Sequence, residues 1–265
     1  MGGQIFGDWA QGASHERVEK VCQDSWKKID YLKGAKIATV ADGHGSEKCP
    51  YSDEGSKAAV KIFCNMMKDC YQSFSDLSAL QTFLNREGDL KIAQSIDREW
   101  KAEILSKHKA AGRDMSLSEE EICRMYGTTL LGIMITDNFV FAFQLGDGDI
   151  TFVDDRETTP VIDADKFLGV ETHSLSKKDA WKHAISAVIN KDASEDLPYM
   201  YMLSTDGFAN SFTSQDEFYK TCRDYFEMIK EHGVKTIKDN LRQWLTETSQ
   251  MGCGDDITAV FAYYK

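Results

Sequence analysis

Proline is scarce, with three in 265 residues, so no proline-rich linker or stalk divides the chain. No apolar run approaches the roughly 20 residues that a membrane-crossing helix needs. Positive charge is in deficit: 31 Lys and Arg face 43 Asp and Glu, a formal net charge of -12. A surface of that sign repels nucleic-acid phosphates and anionic lipid, so neither nucleic acid nor membrane is expected as a partner. The chain has no CxxC pair, and its seven cysteines are an odd number. That argues against a disulfide framework and for reduced thiols in a cytoplasmic setting. The opening MGGQIFGDWAQG lacks the basic and apolar regions of a signal peptide. Phe6 occupies the position where N-myristoylation requires Ser or Thr.

What is present is the composition of an ordinary globular chain, 42% hydrophobic and 28% charged. It is long enough to bury a core without staples and reads as a single domain over 1–265. Ala35 to Ala41 (AKIATVA) predicts a strand that runs into the loop DGHGS. Apolar residues at 59, 62, 63, 66, 67, 70 and 74 recur at helical spacing and predict an amphipathic helix over 54–74. A second, more charged helix is predicted over 88–108. TTLLGIMIT and FVFAFQL flank Asp137-Asn138 and read as a β-hairpin. Further strands are predicted at ITFVDD, at Tyr199 to Ser204 and at Ile257 to Tyr264, and further helices at 214–231 and 234–249. The segment 156–198 reads as irregular, with a short helical stretch near 180–189; it is either a flap or a long connection. SLSEEEI at 116–122 reads as a helix start capped by Ser116 or Ser118. Strands and helix pairs come in blocks, which predicts an α+β fold with antiparallel sheets and helices outside.

Four acidic loops each abut a predicted apolar strand: Asp42 after AKIATVA, Asp147 after FVFAFQLG, Asp206 after YMYMLST, and Asp255-Asp256 before ITAVFAYY. Each contains glycine, which lets backbone bend sharply and approach an ion closely. Taken singly, each is also what an ordinary Asx turn looks like. If the strands are neighbours, the carboxylates converge at one end of the sheets. Clustered carboxylates repel unless protonated or metallated, and hard oxygen ligands suit Mg²⁺ or Mn²⁺. Composition and spacing lead to a carboxylate metal site and no further.

In order, SHxxxxxxCQD at 14–24, VADGHGS at 40–46, YGTTLLG at 126–132, LGDGDI at 145–150, LSTDGFANS at 203–211 and GDDIT at 254–258 resemble the motifs of the metal-dependent Ser/Thr phosphatases of the phosphatase 2C type, in their bacterial branch. The resemblance implies a four-layer α-β-β-α sandwich with two Mn²⁺ or Mg²⁺ ions in a channel at its end, Mn²⁺ being preferred for activity in vitro. It implies that Asp42 bridges the ions, the Gly43 carbonyl binds one, and Asp206 and Asp255 hold the other. It further implies a metal-activated hydroxide that attacks phosphorus in line, with His44 as general acid for the leaving alkoxide. Asp147 is similar to the ligand of a third, weaker ion. Asp256, Gln23 and Asp24 would lie behind the metals and orient ligands and waters.

The chain departs from the pattern in three places. Gln23-Asp24 replaces a common Glu-Asp pair, so the second ion relies more on water. Asn210 stands where an acid often supports the third ion. No arginine matches the one that commonly grips the substrate phosphate; His15 and Arg17 are the nearest candidates. Cys49 and Cys253, close to these loops, read as inert thiols. The expected partner is a phosphorylated protein, with oligomeric state left open. Two other readings stay open: a pseudo-phosphatase acting as a regulatory binding module, and a hydrolase of some other phosphoester. Retention of Asp42, Asp206 and Asp255 argues against the first.

Overall fold

The structure is a computed structural model that describes residues 2–17, 20–162, 173–191 and 197–265. In chain order its elements are β1 (Gln4–Ala10), a short α1 (Ala13–Glu16), β2 (Ser25–Ile29), β3 (Ala35–Ala41), α2 (Ser52–Ser73), α3 (Leu77–Glu87), α4 (Ala93–Ala110) and α5 (Glu119–Arg124). Then follow β4 (Leu130–Thr136), β5 (Phe139–Leu145), β6 (Asp149–Asp154), β7 (Thr158–Pro160), β8 (Ile185–Asn190), β9 (Tyr199–Ser204), a short α6 (Asp206–Ala209), α7 (Gln215–Met251) and β10 (Ile257–Tyr264).

The strands form two five-stranded sheets, β1-β10-β9-β6-β7 and β2-β3-β4-β5-β8. Every pairing is antiparallel. The predicted four-layer α+β sandwich is therefore present. Side-chain alternation explains why its central strands are apolar throughout. In β4, Leu131, Ile133 and Ile135 face the opposite sheet, beside Leu203 and Val260. Leu130 and Met134 face α2, α4 and their Phe63, Met67 and Trp100. In β10, Val260 and Ala262 enter the core between the sheets, while Ile257, Ala259 and Phe261 pack on Phe226, Leu241 and Leu245 of α7. With both faces covered, a polar residue on either side would lose its water.

Several boundaries differ from the sequence reading. The helix expected at 88–108 is α4, entered through a π-helical turn at Gly88–Ile92. Ahead of it lies α3, absent from that reading although Asp76 caps it by accepting from the Ser78 and Ala79 amides. The stretch 180–189 is a single 3-10 turn followed by strand β8. Its β-branched residues satisfy the exposed edge of β5, and that demand outweighs the weak helical pattern. The segment 156–198 thus contributes β7 and β8; residues 163–172 and 192–196 of it lie outside the described residues. The two C-terminal helices are continuous except at Gly233, whose φ of +80° breaks α7 where the sequence reading separated them. Ser118 caps α5 in a full capping box with Glu121. No helix among the described residues is long and apolar enough to cross a membrane.

Candidate metal centre

Strand register brings the acidic loops together. Ser25 pairs with Ala41, so Asp24 and Asp42 leave adjacent strands side by side. Ser204 pairs with Asp149 on one flank and Ala259 on the other. Asp206 therefore emerges between the loop holding Asp147 and the one holding Asp255 and Asp256. Both groups sit at the same end of the sandwich, and β3 is tied across through Asp42. The Asp42 amide donates to Thr129 Oγ1 at 3.0 Å, and its carbonyl accepts from the Thr128 hydroxyl and the Thr129 amide, both at 2.8 Å.

The result is a knot of like charges. Burial pushes the Asp42 carboxyl well above the usual carboxylate range, and the charges of Asp24, Asp206 and Asp255 push it further. Burial likewise raises Asp24, with the charge of Asp256 adding to it and the Thr205 hydroxyl opposing. Asp206 is raised by burial and by Asp147 and Asp255.

Around the knot lies a scaffold of neutral donors. Thr205 Oγ1 donates to Asp24 Oδ2 at 2.7 Å and accepts from the Thr258 amide at 2.9 Å. Buried Asp256 clips the N-terminal segment to the C-terminal strand. Its Oδ1 accepts from the Gly12 amide at 2.6 Å and its Oδ2 from the Gln23 amide at 2.7 Å. His15 Nδ1 stands 3.0 Å from Asp256 Oδ1, and its Nε2 stands 3.9 Å from Asp255 Oδ1. Asn210 donates to Asp206 Oδ2 at 3.0 Å. The backbone must pass closely here: a Cβ on Gly207 would meet the Asp256 carbonyl oxygen at 2.1 Å.

The structure thus gathers Asp24, Asp42, Asp147, Asp206, Asp255 and Asp256, six carboxylates that the sequence singled out. Gly43 bridges to Thr128 directly after Asp42. Gln23 is buried beside them. Arg17 stays apart, exposed at the end of α1. Thr205 is a participant that sequence reasoning missed; its place between an apolar strand and Asp206 was the available signal.

No three His, Cys, Asp or Glu side chains among the described residues are already gathered in metal-ligating geometry. The donor set nevertheless fits Mg²⁺ or Mn²⁺. Asp24 Oδ1 and Gln23 Oε1 are buried oxygens with no hydrogen-bond partner, and such oxygens are costly unless something cationic or protic meets them. All donors are hard oxygens.

His44 is half-buried, and its amide donates to the Gly127 carbonyl at 3.0 Å. It borders a polar cleft of about 560 Å³ whose walls include Lys48, Glu120, Arg124, Lys177 and Lys178. All seven cysteines are unpaired. Burial pushes the Cys22, Cys64, Cys123 and Cys222 thiols up, as befits inert packing groups. Cys253 is exposed, donating to the Gly207 carbonyl at 3.3 Å.

No curated protein sequence matches the chain. Solved structures with the same fold include a Ser/Thr phosphatase from S. agalactiae (14% identity, TM-score 0.64, covering 100% of each chain). Another is Ser/Thr phosphatase Stp1 from Staphylococcus aureus (11% identity, TM-score 0.64, 99% of this chain and 94% of that one). A third is the catalytic domain of the Ser/Thr protein phosphatase PstP in complex with two manganese ions (14% identity, TM-score 0.57, 100% and 98%). At these identities the likeness speaks for the fold. The family described as Protein phosphatase 2C matches residues 11–246, and the chain belongs to that family.

Proposed function

We propose that this protein is a Mg²⁺- or Mn²⁺-dependent phosphatase acting on phosphoserine and phosphothreonine in proteins. The observation that carries the reading is the carboxylate knot: strand register brings the like charges of Asp24, Asp42 and Asp206 to one end of the sandwich, where Asp24 Oδ1 is buried without a hydrogen-bond partner. Nothing but cations would relieve that repulsion without protonating the acids. Asp42, Asp206, Asp255 and the Gly43 carbonyl would hold two divalent ions, with Asp147 toward a third and Asp24 and Gln23 available to their waters. When bound, such ions neutralise charge on phosphoryl oxygens and make water acidic enough to supply a nucleophile near neutral pH.

The chain's own residues do the rest. Asp256 holds the N-terminal segment against the C-terminal loop, fixing the backbone at Gly12 and Gln23. Thr205 holds one Asp24 oxygen, and the other is buried without a partner. Thr128 and Thr129 fix the backbone of Asp42. His44, two residues after Asp42, is the group that would deliver a proton to the departing alkoxide. Asn210 neutralises part of Asp206 by hydrogen bonding, where an acid would have strengthened a third ion.

The test is phosphate release from a phosphothreonine peptide and from an aryl phosphate, in EDTA, Mg²⁺ or Mn²⁺. Activity restored by metal and lost in Asp42→Asn and Asp206→Asn supports the reading. Metal binding by calorimetry with no phosphate release under any condition refutes it in favour of a regulatory pseudo-phosphatase. Turnover of the aryl ester alone points to a different phosphoester.

A further inference from the structure

A chain with net charge -12 has a cleft at His44 that is locally basic. Among the described residues, Lys48, Arg124, Lys177 and Lys178 line it together with Glu120. They come from three separate stretches: the loop after the metal-binding turn, helix α5, and the segment 174–178. Glu120 reaches Arg124 at 3.4 Å, but both side chains are more than half exposed. A pair of that kind is weak and leaves Arg124 open to competition from another anion.

The floor of the cleft is tied to the metal-binding turn. The His44 amide donates to Gly127, the Leu175 amide to the Thr128 carbonyl at 3.0 Å, and the Thr128 amide to Ser174 Oγ at 3.1 Å. Thr128 in turn holds the Asp42 carbonyl. From the other side, Lys101 of α4 donates to the Lys177 carbonyl at 3.0 Å. The backbone that carries Lys177 and Lys178 is therefore tied to that of Asp42. Ser46, Ser174 and Ser176 also line the cleft.

We infer that this cleft is a specificity subsite for acidic residues flanking the phosphorylated Ser or Thr of a protein substrate. The inference rests on the phosphatase reading above. The knot itself repels every anion until metals bind, whereas the cleft attracts carboxylates regardless of metal. It would orient an acidic segment so that its phosphorylated residue enters beside His44. Remote attraction of this kind acts on binding and encounter, so it lowers KM and leaves kcat nearly unchanged.

The experiment uses the full chain and one phosphothreonine peptide with three flanks: glutamate, glutamine or lysine, placed N-terminal or C-terminal to the phosphoresidue. The expected order of kcat/KM is acidic, then neutral, then basic, carried by KM and shrinking as salt rises. Lys48→Glu combined with Arg124→Glu, both at exposed positions, should lower kcat/KM on the acidic peptide about tenfold and invert the preference. Turnover of a small aryl phosphate by the same variant should stay close to wild type. Equal turnover of acidic and neutral peptides, or an equal loss on all substrates in the double variant, overturns the subsite. Fluorescence anisotropy of a labelled acidic peptide in EDTA separates the two claims. Binding lost in the double variant, with no phosphate released under any metal, retains the cleft and removes the phosphatase reading. No binding in EDTA and no flank preference removes the cleft alone.

Discussion

Replacing Asp256 by asparagine keeps the volume of the side chain and removes half of its function. The carboxylate accepts two backbone amides, from Gly12 and Gln23, at 2.6 and 2.7 Å. Hydrogen bonds to a charged group contribute about 1.5–3 kcal/mol each. The asparagine oxygen can keep one of them. Its amide nitrogen is a donor and would face the other N–H, leaving that group buried and unpaired. An opposing effect exists, because the Asp256 charge raises Asp24 and its loss relieves that repulsion. The relief is bounded, since burial, ahead of the Asp256 charge, is the larger cause of the raised Asp24. The lost bond wins, at a net cost of about 1.5–3 kcal/mol. At about 2–4 °C per kcal/mol for a chain of this size, Tm in EDTA should fall by about 3–12 °C. Asp255→Asn is the control, because Asp255 is half exposed and accepts one local amide, that of Asp256. It should lose metal affinity with little change in Tm. If Asp256→Asn melts within about 1 °C of wild type, the clip does not hold the N-terminal segment in place and the reasoning fails.

Asp42→Asn and Asp206→Asn should abolish metal-dependent phosphate release while circular dichroism stays native, since each removes a like charge from a crowded site; retained release would remove them from the centre. The raised carboxyls of Asp24, Asp42 and Asp206 make the metal-free fold bind protons more tightly than the unfolded chain. Their contribution to stability is present below the unfolded carboxylate pKa of about 4 and is lost as pH rises through the folded values. In EDTA, Tm should therefore fall between mildly acidic and neutral pH, and saturating Mn²⁺ should flatten that slope; an unchanged slope counts against the knot. Arg113 pairs with Glu54 at 2.6 Å, hydrogen-bonds Tyr126 and lies 3.5 Å over the Tyr51 ring. Arg113→Ala should cost about 1–2 kcal/mol by denaturant unfolding with unchanged metal affinity. Gly207→Ala drives a methyl against the Asp256 carbonyl, so it should lower metal affinity measured by calorimetry; unaltered affinity would mean the turn is soft.

What could be read from the sequence, and what could not, divides by distance along the chain. Asp42, Asp147, Asp206 and Asp255 were legible because each adjoins an apolar strand, and antiparallel register carries a strand end to a predictable edge. β8 was not legible, since ISAVIN is half exposed and becomes a strand only through the open edge of β5. α3 was lost although Asp76 marked it, because the charged run beyond it looked like the helix start. The partners of the site were hidden for a related reason. Thr205 meets Asp24 across 181 positions, and Asp256 meets Gln23 and Gly12 across 233 and 244. No local pattern encodes such contacts.

A chain with so much negative charge can still handle an anionic substrate if its charges are segregated by the fold. Net charge counts residues without regard to where they fall. Here six carboxylates are drawn into one end of the sandwich, where on the proposed reading divalent cations would relieve their repulsion. Four of the comparatively few cations are collected beside them from stretches that are remote in sequence. Of the first motif's two candidates for gripping phosphate, His15 stands 3.0 Å from Asp256 and Arg17 lies exposed at the end of α1. Positive potential at this site is therefore a property of the fold, divided between ions that the knot would hold and a basic wall along His44. It follows that removing the wall should impair recognition of acidic flanks, whereas removing the knot should impair hydrolysis of every phosphoester alike.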